Sequence, residues 1–407
     1  MSIVTTKINS VIDRLDRATA PLRGEGRGWF VLFVAIGWFL TLGARYLIPA
    51  VLPAIKADFG VSNSAAGLVV SVIWLTYGFL QYPAGALTDR LGERRLLTAS
   101  AVLAAVSLVG FAVIPSYFLF LIAAAAFGTG TGLFGPARGL ALSKTYDEHE
   151  GSAFGVVLAA GSIGAAVLPF TATLLTTEYG WRLAVAVFFP AFVAVAVGLW
   201  WAVPSDLGGS RNDSSIFAGL YTTVRCLGTP RVALSVGAIV IMLFVMQGLT
   251  AFFTTYLTSV KGLSSGIAGA LFALLFVSGS GFQIWTGRLA DEYGHRLVMV
   301  AVSAISVLPL VMFPFVEGLG LLALVTAGIG IRLALGPLTN AYIIGSLPDD
   351  GQGAVWGSIR TLFFAIGSSG SYVIGIMGDY DMFDEAMFLL AGLTALGTAL
   401  YWMLPED

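Results

Sequence analysis

Four arginines stand where an arginine is expensive. Arg45, Arg138, Arg332 and Arg360 lie inside long apolar runs of a 407-residue chain. A cation at the centre of a membrane helix costs about 2.5–3.5 kcal/mol on insertion scales, so by default it marks a functional site. The guanidinium narrows the kind of site. It stays protonated, and its planar fork of N–H donors matches a carboxylate, a phosphate or a similar group. The 23 acidic residues all fall in predicted loops, tails or run ends, as do His149 and His295. No side chain that titrates near neutral pH is left in the predicted core, since tyrosine ionises only near about 10. Positive charge without a counter-charge points to an anion supplied from outside the chain.

Depth separates the four. Arg45 is close to the midpoint of the run between Trp29 and Lys56, and Arg332 is almost central between Glu317 and Asp349. Arg138 and Arg360 lie about 11 Å and about 8 Å from the middle of their runs at the helical rise per residue. Long side chains near a helix end can snorkel to water, so Arg138 and Arg360 read either as structural or as parts of a gate. Arg45 and Arg332 are expected to face a shared cavity and bind the substrate anion; the bland alternative is that one of them packs against backbone carbonyls. Gln247, Tyr77 and Gln81 are expected to add neutral hydrogen bonds. Phe252, Phe253, Tyr256, Asn340 and Tyr342 read as wall or as packing.

The elements that must position these residues follow from composition. The chain is 57% hydrophobic and 11% charged, with a mean hydropathy of +0.89, against roughly 25% charged in an ordinary soluble protein. Twelve apolar runs are each long enough for a bilayer crossing, which takes about 20 residues. They lie near 28–55, 64–88, 95–115, 117–143, 151–176, 181–203, 231–258, 264–289, 296–315, 318–346, 353–378 and 383–404. Residues 1–27 precede them, with an amphipathic stretch at 5–18 that suits a surface helix or a solvated tail. Residues 204–230 form a polar linker between an N-terminal six-helix bundle, 28–203, and a C-terminal one, 231–404. One set of connections holds fourteen Lys and Arg, the alternate set three. The basic excess marks the cytoplasmic side, so both termini are expected there, in a multi-pass protein of the cell membrane. The single cysteine, Cys226, excludes an intrachain disulfide and a cysteine metal cluster.

The halves repeat. Gly85, Asp89, Gly92 and Arg94 each precede Gly287, Asp291, Gly294 and Arg296 by 202 residues. The same offset relates Gln81 to Gln283, Gly67 to Gly269 and Arg45 to Gln247. The stretch Gly85-Ala86-Leu87-Thr88-Asp89-Arg90-Leu91-Gly92-Glu93-Arg94-Arg95 resembles the loop between the second and third helices of major facilitator superfamily transporters. Glu93 is acidic where that family usually has a base, and Gly287–Arg296 repeats the pattern. The resemblance covers 28–404. It implies an all-α membrane protein of twelve helices in two pseudo-symmetric six-helix bundles, which rock about a midplane site. It implies that Asp89 anchors the second helix to the start of the eleventh near Gly353, and that Asp291 does the same for the eighth helix at the fifth near Gly151. With Arg90, Arg94, Arg138 and Arg360 they form the expected gating set. Ala124 stands where drug-exporting members carry an arginine ahead of Gly128-Thr129-Gly130.

The expected function is secondary transport of a small, carboxylate-type anion by alternating access, by exchange or otherwise without a buried protein carboxylate. The alternative is an exporter of amphipathic drugs or metabolites. A membrane receptor or scaffold would need a soluble signalling domain, and enzymatic chemistry would need a triad, a metal cluster or a phosphate loop; neither set is evident in the sequence. The expected partners are the anion and the lipid bilayer, with no cofactor, metal or nucleic acid and a monomeric chain.

Overall fold

A computed structural model describes Leu22 and residues 27–146, 149–205, 223–348 and 352–405. The amphipathic stretch at 5–18 and most of the 204–230 linker lie outside the described residues. Within them the chain crosses from face to face twelve times. Crossing α1 comprises Arg27–Arg45, Leu47–Ala50 and Leu52–Phe59; α2 comprises Asn63–Phe79 and Gln81–Leu91; α3 is Glu93–Val113 and α4 Tyr117–Thr145. The 53-residue helical stretch Glu150–Ala202 is two crossings. Gly180, at φ 78° and ψ 157°, takes a conformation a side chain would resist, and separates α5 (150–179) from α6 (181–202). The second half holds α7 (Pro230–Ser259), α8 (Ser265–Tyr293) and α9 (His295–Met312). It continues with α10 (Leu319–Ile329, a tight 3-10 stretch Gly330–Ala334, Leu335–Ile344), α11 (Gln352–Gly367, Ser369–Asp379) and α12 (Phe383–Trp402).

The breaks have causes in the sequence. Pro83 cannot donate to the Phe79 carbonyl, and α2 bends by 48° between its two segments. Pro49 and Pro53 interrupt α1 in the same way. Pro337 cannot donate to Leu333, and α10 tightens into its 3-10 stretch just before it. Arg332 sits in that stretch.

Each half packs its own helices, α1 on α5, α3 on α4 and α6 in the first, and α9 on α12 and α7 on α11 and α12 in the second. The halves meet along two seams, α2 against α11 and α5 against α8. Glycines let the backbones approach, as association in lipid requires. A Cβ at Gly67 would collide with the Ser371 carbonyl in the first seam, and one at Gly269 with Thr173 in the second. These two glycines are the pair related by the 202-residue offset. Large apolar side chains such as Phe118, Val197 and Leu324 are exposed around the outside, the surface a lipid bilayer covers.

The repeat extends to local geometry. Gly92 and Gly294 share one backbone conformation, φ 83°, ψ 152° and φ 84°, ψ 150°. Just beyond them Arg94 lies 4.4 Å from the ring centre of Trp200, and Arg296 lies 5.8 Å from that of Trp402. Trp200 and Trp402 are themselves 202 residues apart.

Candidate functional site

The face that carries the start of α1 and the end of α12 is here called the terminal face. On the other side the halves are closed on each other. Thr254 Oγ1 donates to the Pro49 carbonyl at 3.0 Å, joining α7 to α1. Ser71 Oγ donates to the Ser368 carbonyl at 2.7 Å, joining α2 to α11. At the rim the Asp379 carboxylate accepts from the backbone N–H of Asn63 and of Ser64, and Asn63 Nδ2 returns a bond to the Gly378 carbonyl at 2.8 Å. An acid from the end of α11 thus caps the start of α2, where the helix dipole favours negative charge.

A cavity lies between the halves on the terminal-face side of those contacts. It holds about 250 Å³ of space that a water-sized sphere can occupy, just under the range of small-molecule sites. Most of its wall is apolar, with Leu42, Met242, Met246 and Phe276 among the contributors. The polar exceptions are Tyr46, Ser162, Ser280, Gln283, Asn340, Arg332 and Arg360. Among the described residues no Asp, Glu or His side chain lines it.

Arg332 is 4% exposed. Its Nη1 donates to Ser306 Oγ of α9 at 3.1 Å and to Thr394 Oγ1 of α12 at 2.8 Å, and its Nη2 lies 3.6 Å from the Met242 sulfur of α7. Its Nε has no partner. The side chain therefore ties three neighbouring helices together while lining the cavity.

Arg45, 1% exposed, turns from α1 toward α2. Its guanidinium lies 4.1 Å from the ring centre of Tyr77, 4.9 Å from that of Trp74 and 5.3 Å from that of Trp38. Nε donates to the Thr41 carbonyl at 3.3 Å, and Nη2 is buried without a partner. Leu42 and Tyr46, on either side of it in α1, are the residues that reach the cavity. Arg138 of α4 stacks on the same Trp38 at 4.1 Å, with Nε and Nη1 unpaired. Arg360 of α11 donates through Nη2 to Tyr77 Oη at 3.4 Å, and its Nε is unpaired. All three arginines are close enough to act electrostatically on Tyr77. Arg45 and Arg332, expected to share a cavity wall, are thus directed into different halves. Arg138 and Arg360, set apart in the sequence by their shallower depth, gather around Tyr77 with Arg45.

The neutral residues take other places. Gln81 Nε2 donates to the Tyr77 carbonyl at 3.0 Å and the Gly132 carbonyl at 3.4 Å. Pro136 cannot donate to Gly132, so the glutamine reaches a carbonyl that the proline left open. Gln283 does the same at its equivalent place, donating at 2.9 Å to Leu333, which Pro337 leaves open. Buried carbonyls in a membrane must find such partners. Gln247 is 1% exposed; its backbone carbonyl accepts from Ser371 Oγ at 3.1 Å in the α7–α11 contact, and its Nε2 is unpaired.

Among the gating set, Asp89 makes no hydrogen bond or ion pair among the described residues; Lys144 and Glu93 are its charged neighbours. Lys144 itself pairs with Glu93 at 2.7 Å. Asp291 and Arg90 are exposed, and Arg94 is held within its own half by Trp200. Sequence reasoning missed Trp38, Trp74, Ser306 and Thr394. The tryptophans carried a signal, since an aromatic face is a natural partner for a buried guanidinium; the two hydroxyls come from helices whose neighbours are visible only in three dimensions.

The profile described as Major Facilitator Superfamily matches residues 34–372. Among curated relatives, the fosmidomycin resistance protein of Escherichia coli (strain K12) is 24% identical over 384 residues, 92% of each chain. The multidrug resistance protein MdtG of Yersinia enterocolitica is 27% identical over 408 residues, covering 92% of this chain and 93% of its own. Among solved structures, the nucleoside transporter NupG (D323A mutant) superposes with a TM-score of 0.77 at 13% identity, over 93% of this chain and 100% of its own. A bacterial homolog of the human lysosomal transporter Spinster, inward-facing and occupied, gives 0.77 at 15% identity over 93% and 96%.

Proposed function

The chain belongs to the Major Facilitator Superfamily, and from that premise we propose that this secondary transporter exports small amphipathic solutes that carry an anionic group. The terminal face is the cytoplasmic one, on the count of basic residues in its connections. The solute enters the cavity described above from that side. Its apolar body lies against Met242, Met246 and Phe276, and its negative end meets Arg332 and Arg360. The observation that carries the reading is a wall with two guanidiniums and no acid. Export is favoured by the names of the relatives, which are resistance proteins.

Coupling follows the same chemistry. A proton antiporter needs a core group that trades its proton for the solute near working pH. Among the described residues the cavity offers arginine and tyrosine but no carboxylate or imidazole. Three routes remain: one anion exchanges for another, the anion moves alone under its gradient and the membrane potential, or the solute carries its own proton. Exchange ranks first, because closing an empty cavity over unneutralised charge is costly.

The test uses purified full-length protein in detergent with two amphipaths of similar size, naphthalenesulfonate and a naphthyl trimethylammonium. A ligand that binds the folded state raises its apparent melting temperature by mass action. The sulfonate should do so, and Arg332→Gln and Arg360→Gln should each weaken its effect at least tenfold in concentration. Equal stabilisation by the cation, with both variants unchanged, would remove the anionic part of the reading.

A further inference from the structure

We propose that the outer groove between α3 and α6 holds one acyl chain of an anionic phospholipid, with the phosphate of its headgroup at Arg94 and Arg95. The site lies on the outside of the first bundle, apart from the central cavity, and does not depend on what the protein transports.

Two helical stripes build the groove. On α3, Thr98, Val102 and Val106 follow at intervals of four, and on α6 so do Phe189, Val193 and Val197, the spacing that keeps side chains on one face. Ala105 and Ala196 are buried between the stripes, where short side chains leave depth, while Val106 and Val197 stand exposed at the rims. The groove holds about 340 Å³ of space that a water-sized sphere can occupy. Among the described residues its wall is apolar apart from Thr98 and the indole of Trp200. The deep end has a cause in the sequence. Pro190 cannot donate to the Ala186 carbonyl, and α6 breaks at Val187 and Phe188. From Phe189 to Trp200 the groove runs about 16 Å at the helical rise per residue, about half of a 30 Å hydrocarbon core. It therefore spans one leaflet, from the bilayer middle to the headgroup level that tryptophan favours. That is the outline of a single acyl chain.

The shallow end carries positive charge. Arg94 continues the α3 stripe one turn before Thr98, and its guanidinium lies 4.4 Å from the ring centre of Trp200, at the mouth of the groove. Arg95 beside it is exposed. Neither makes an ion pair among the described residues. The adjacent acid, Glu93, is buried and pairs instead with Lys144 at 2.7 Å. Two guanidiniums at headgroup level suit a phosphate, which their planar forks of donors match. Basic residues beside membrane helices favour anionic headgroups on the cytoplasmic side, and the basic count assigns this face to that side. Charge therefore selects an anionic lipid over a zwitterionic one with the same chains. Both stripes belong to the first bundle, so the lipid would brace that bundle and travel with it rather than bridge the halves.

The test uses full-length protein in nanodiscs of phosphatidylcholine, with trace phosphatidylglycerol carrying a diazirine midway along one chain as the probe. After irradiation, cross-linked peptides should map to 98–106 and 189–200 at least fivefold more than to other lipid-facing surfaces, such as those around Phe118 and Leu324. Excess unlabelled phosphatidylglycerol should suppress this labelling, and glycerol 3-phosphate, which has no chain to seat, should not. A phosphatidylcholine analogue with the same diazirine chain should label the groove at least fivefold less. Replacing both arginines, Arg94→Gln with Arg95→Gln, should remove the difference between the two lipids, whereas Val197→Trp, which fills the rim, should reduce labelling by both. Even labelling around the whole belt, or equal labelling of the groove by the two lipids in wild-type protein, would mean annular lipid only and overturn the site. A groove that takes no label in protein that runs as a dimer would belong to a second copy, and that too would overturn it. The comparison of the two lipids on wild-type protein needs no variant to fold.

Discussion

A guanidinium has two faces and an edge, and the four membrane arginines differ in which they use. Arg332 donates from Nη1 to Ser306 and Thr394, whereas the guanidiniums of Arg45 and Arg138 lie against aromatic rings, and each of the three keeps at least one buried donor unpaired. This difference predicts different mutants. Thr394→Val leaves one of the two N–H groups of Arg332 Nη1 unpaired, Ser306 keeping the other, and should cost about 1–3 kcal/mol, the usual penalty for an unsatisfied buried donor. Combining it with Arg332→Met removes the stranded group and should recover part of that loss, read as apparent melting temperature in a double-mutant cycle. Additive losses would mean that the two side chains do not interact. At the exposed ends, Arg94 on Trp200 and Arg296 on Trp402 are stacked pairs. Trp200→Leu and Trp402→Leu should each lower stability by about 0.5–1 kcal/mol, the size of an exposed cation–π contact. A change in one but not the other would break their equivalence.

Helices in lipid associate through close approach rather than through a hydrophobic drive, so the two seams depend on what is absent. Gly67 abuts the Ser371 carbonyl of α11 and Gly269 abuts Thr173 of α5. A side chain at Gly67 meets backbone, which cannot turn aside. Gly67→Leu should therefore open the seam between α2 and α11 and expose the far side of the interface. The measurement is reaction of a single cysteine, introduced as Thr254→Cys in a Cys226→Ser background, with a membrane-impermeant maleimide. Faster labelling in the Gly67→Leu variant is expected; an unchanged rate with folded protein would count against the seam as the closing surface. The prolines show a second device at this scale. Pro136 and Pro337 each open a carbonyl that a glutamine from the neighbouring helix fills, Gln81 in one half and Gln283 in the other. Gln283→Leu should destabilise by about 1–3 kcal/mol, and Gln283→Glu should restore little, because an ionised carboxylate has no N–H to donate.

For the whole molecule the question is which face meets the cytoplasm. From the fourteen-to-three distribution of basic residues the termini are expected inside, the side from which the proposed solute loads. In the same Cys226→Ser background, Asn212→Cys should react only with reagent from inside and Gly318→Cys only from outside in oriented membranes. Labelling of position 212 from outside in intact cells would invert the topology and turn the proposed exporter into a protein loading from the opposite side. In the rocking cycle that the family resemblance implies, the closed contacts at 63–71 and 368–379, with the cavity on the other side, would be one end state. On that reading the Asp379 cap on α2 would break on the way to the other.

Fold and site were legible to different depths. The number of crossings, their boundaries within a few residues and the duplication were all written in the chain, because hydropathy, turn glycines and a fixed offset are local or periodic signals. Family membership followed from Asp89, Gly92 and Arg94 and their repeats. The sequence also showed that Arg45, Arg138, Arg332 and Arg360 were anomalous, since the cost of a charge in a bilayer depends on depth alone. Which arginines act together was decided only by the tertiary structure. Depth along a helix says nothing of azimuth, and azimuth turned Arg45 toward Trp74 and Tyr77 and Arg332 toward Ser306 and Thr394. It likewise brought Arg360, 283 residues from Tyr77 in the chain, to its hydroxyl. A hydrogen bond or a stacked ring is a contact between helices, and the rotation of one helix against another is set by the packing of all of them.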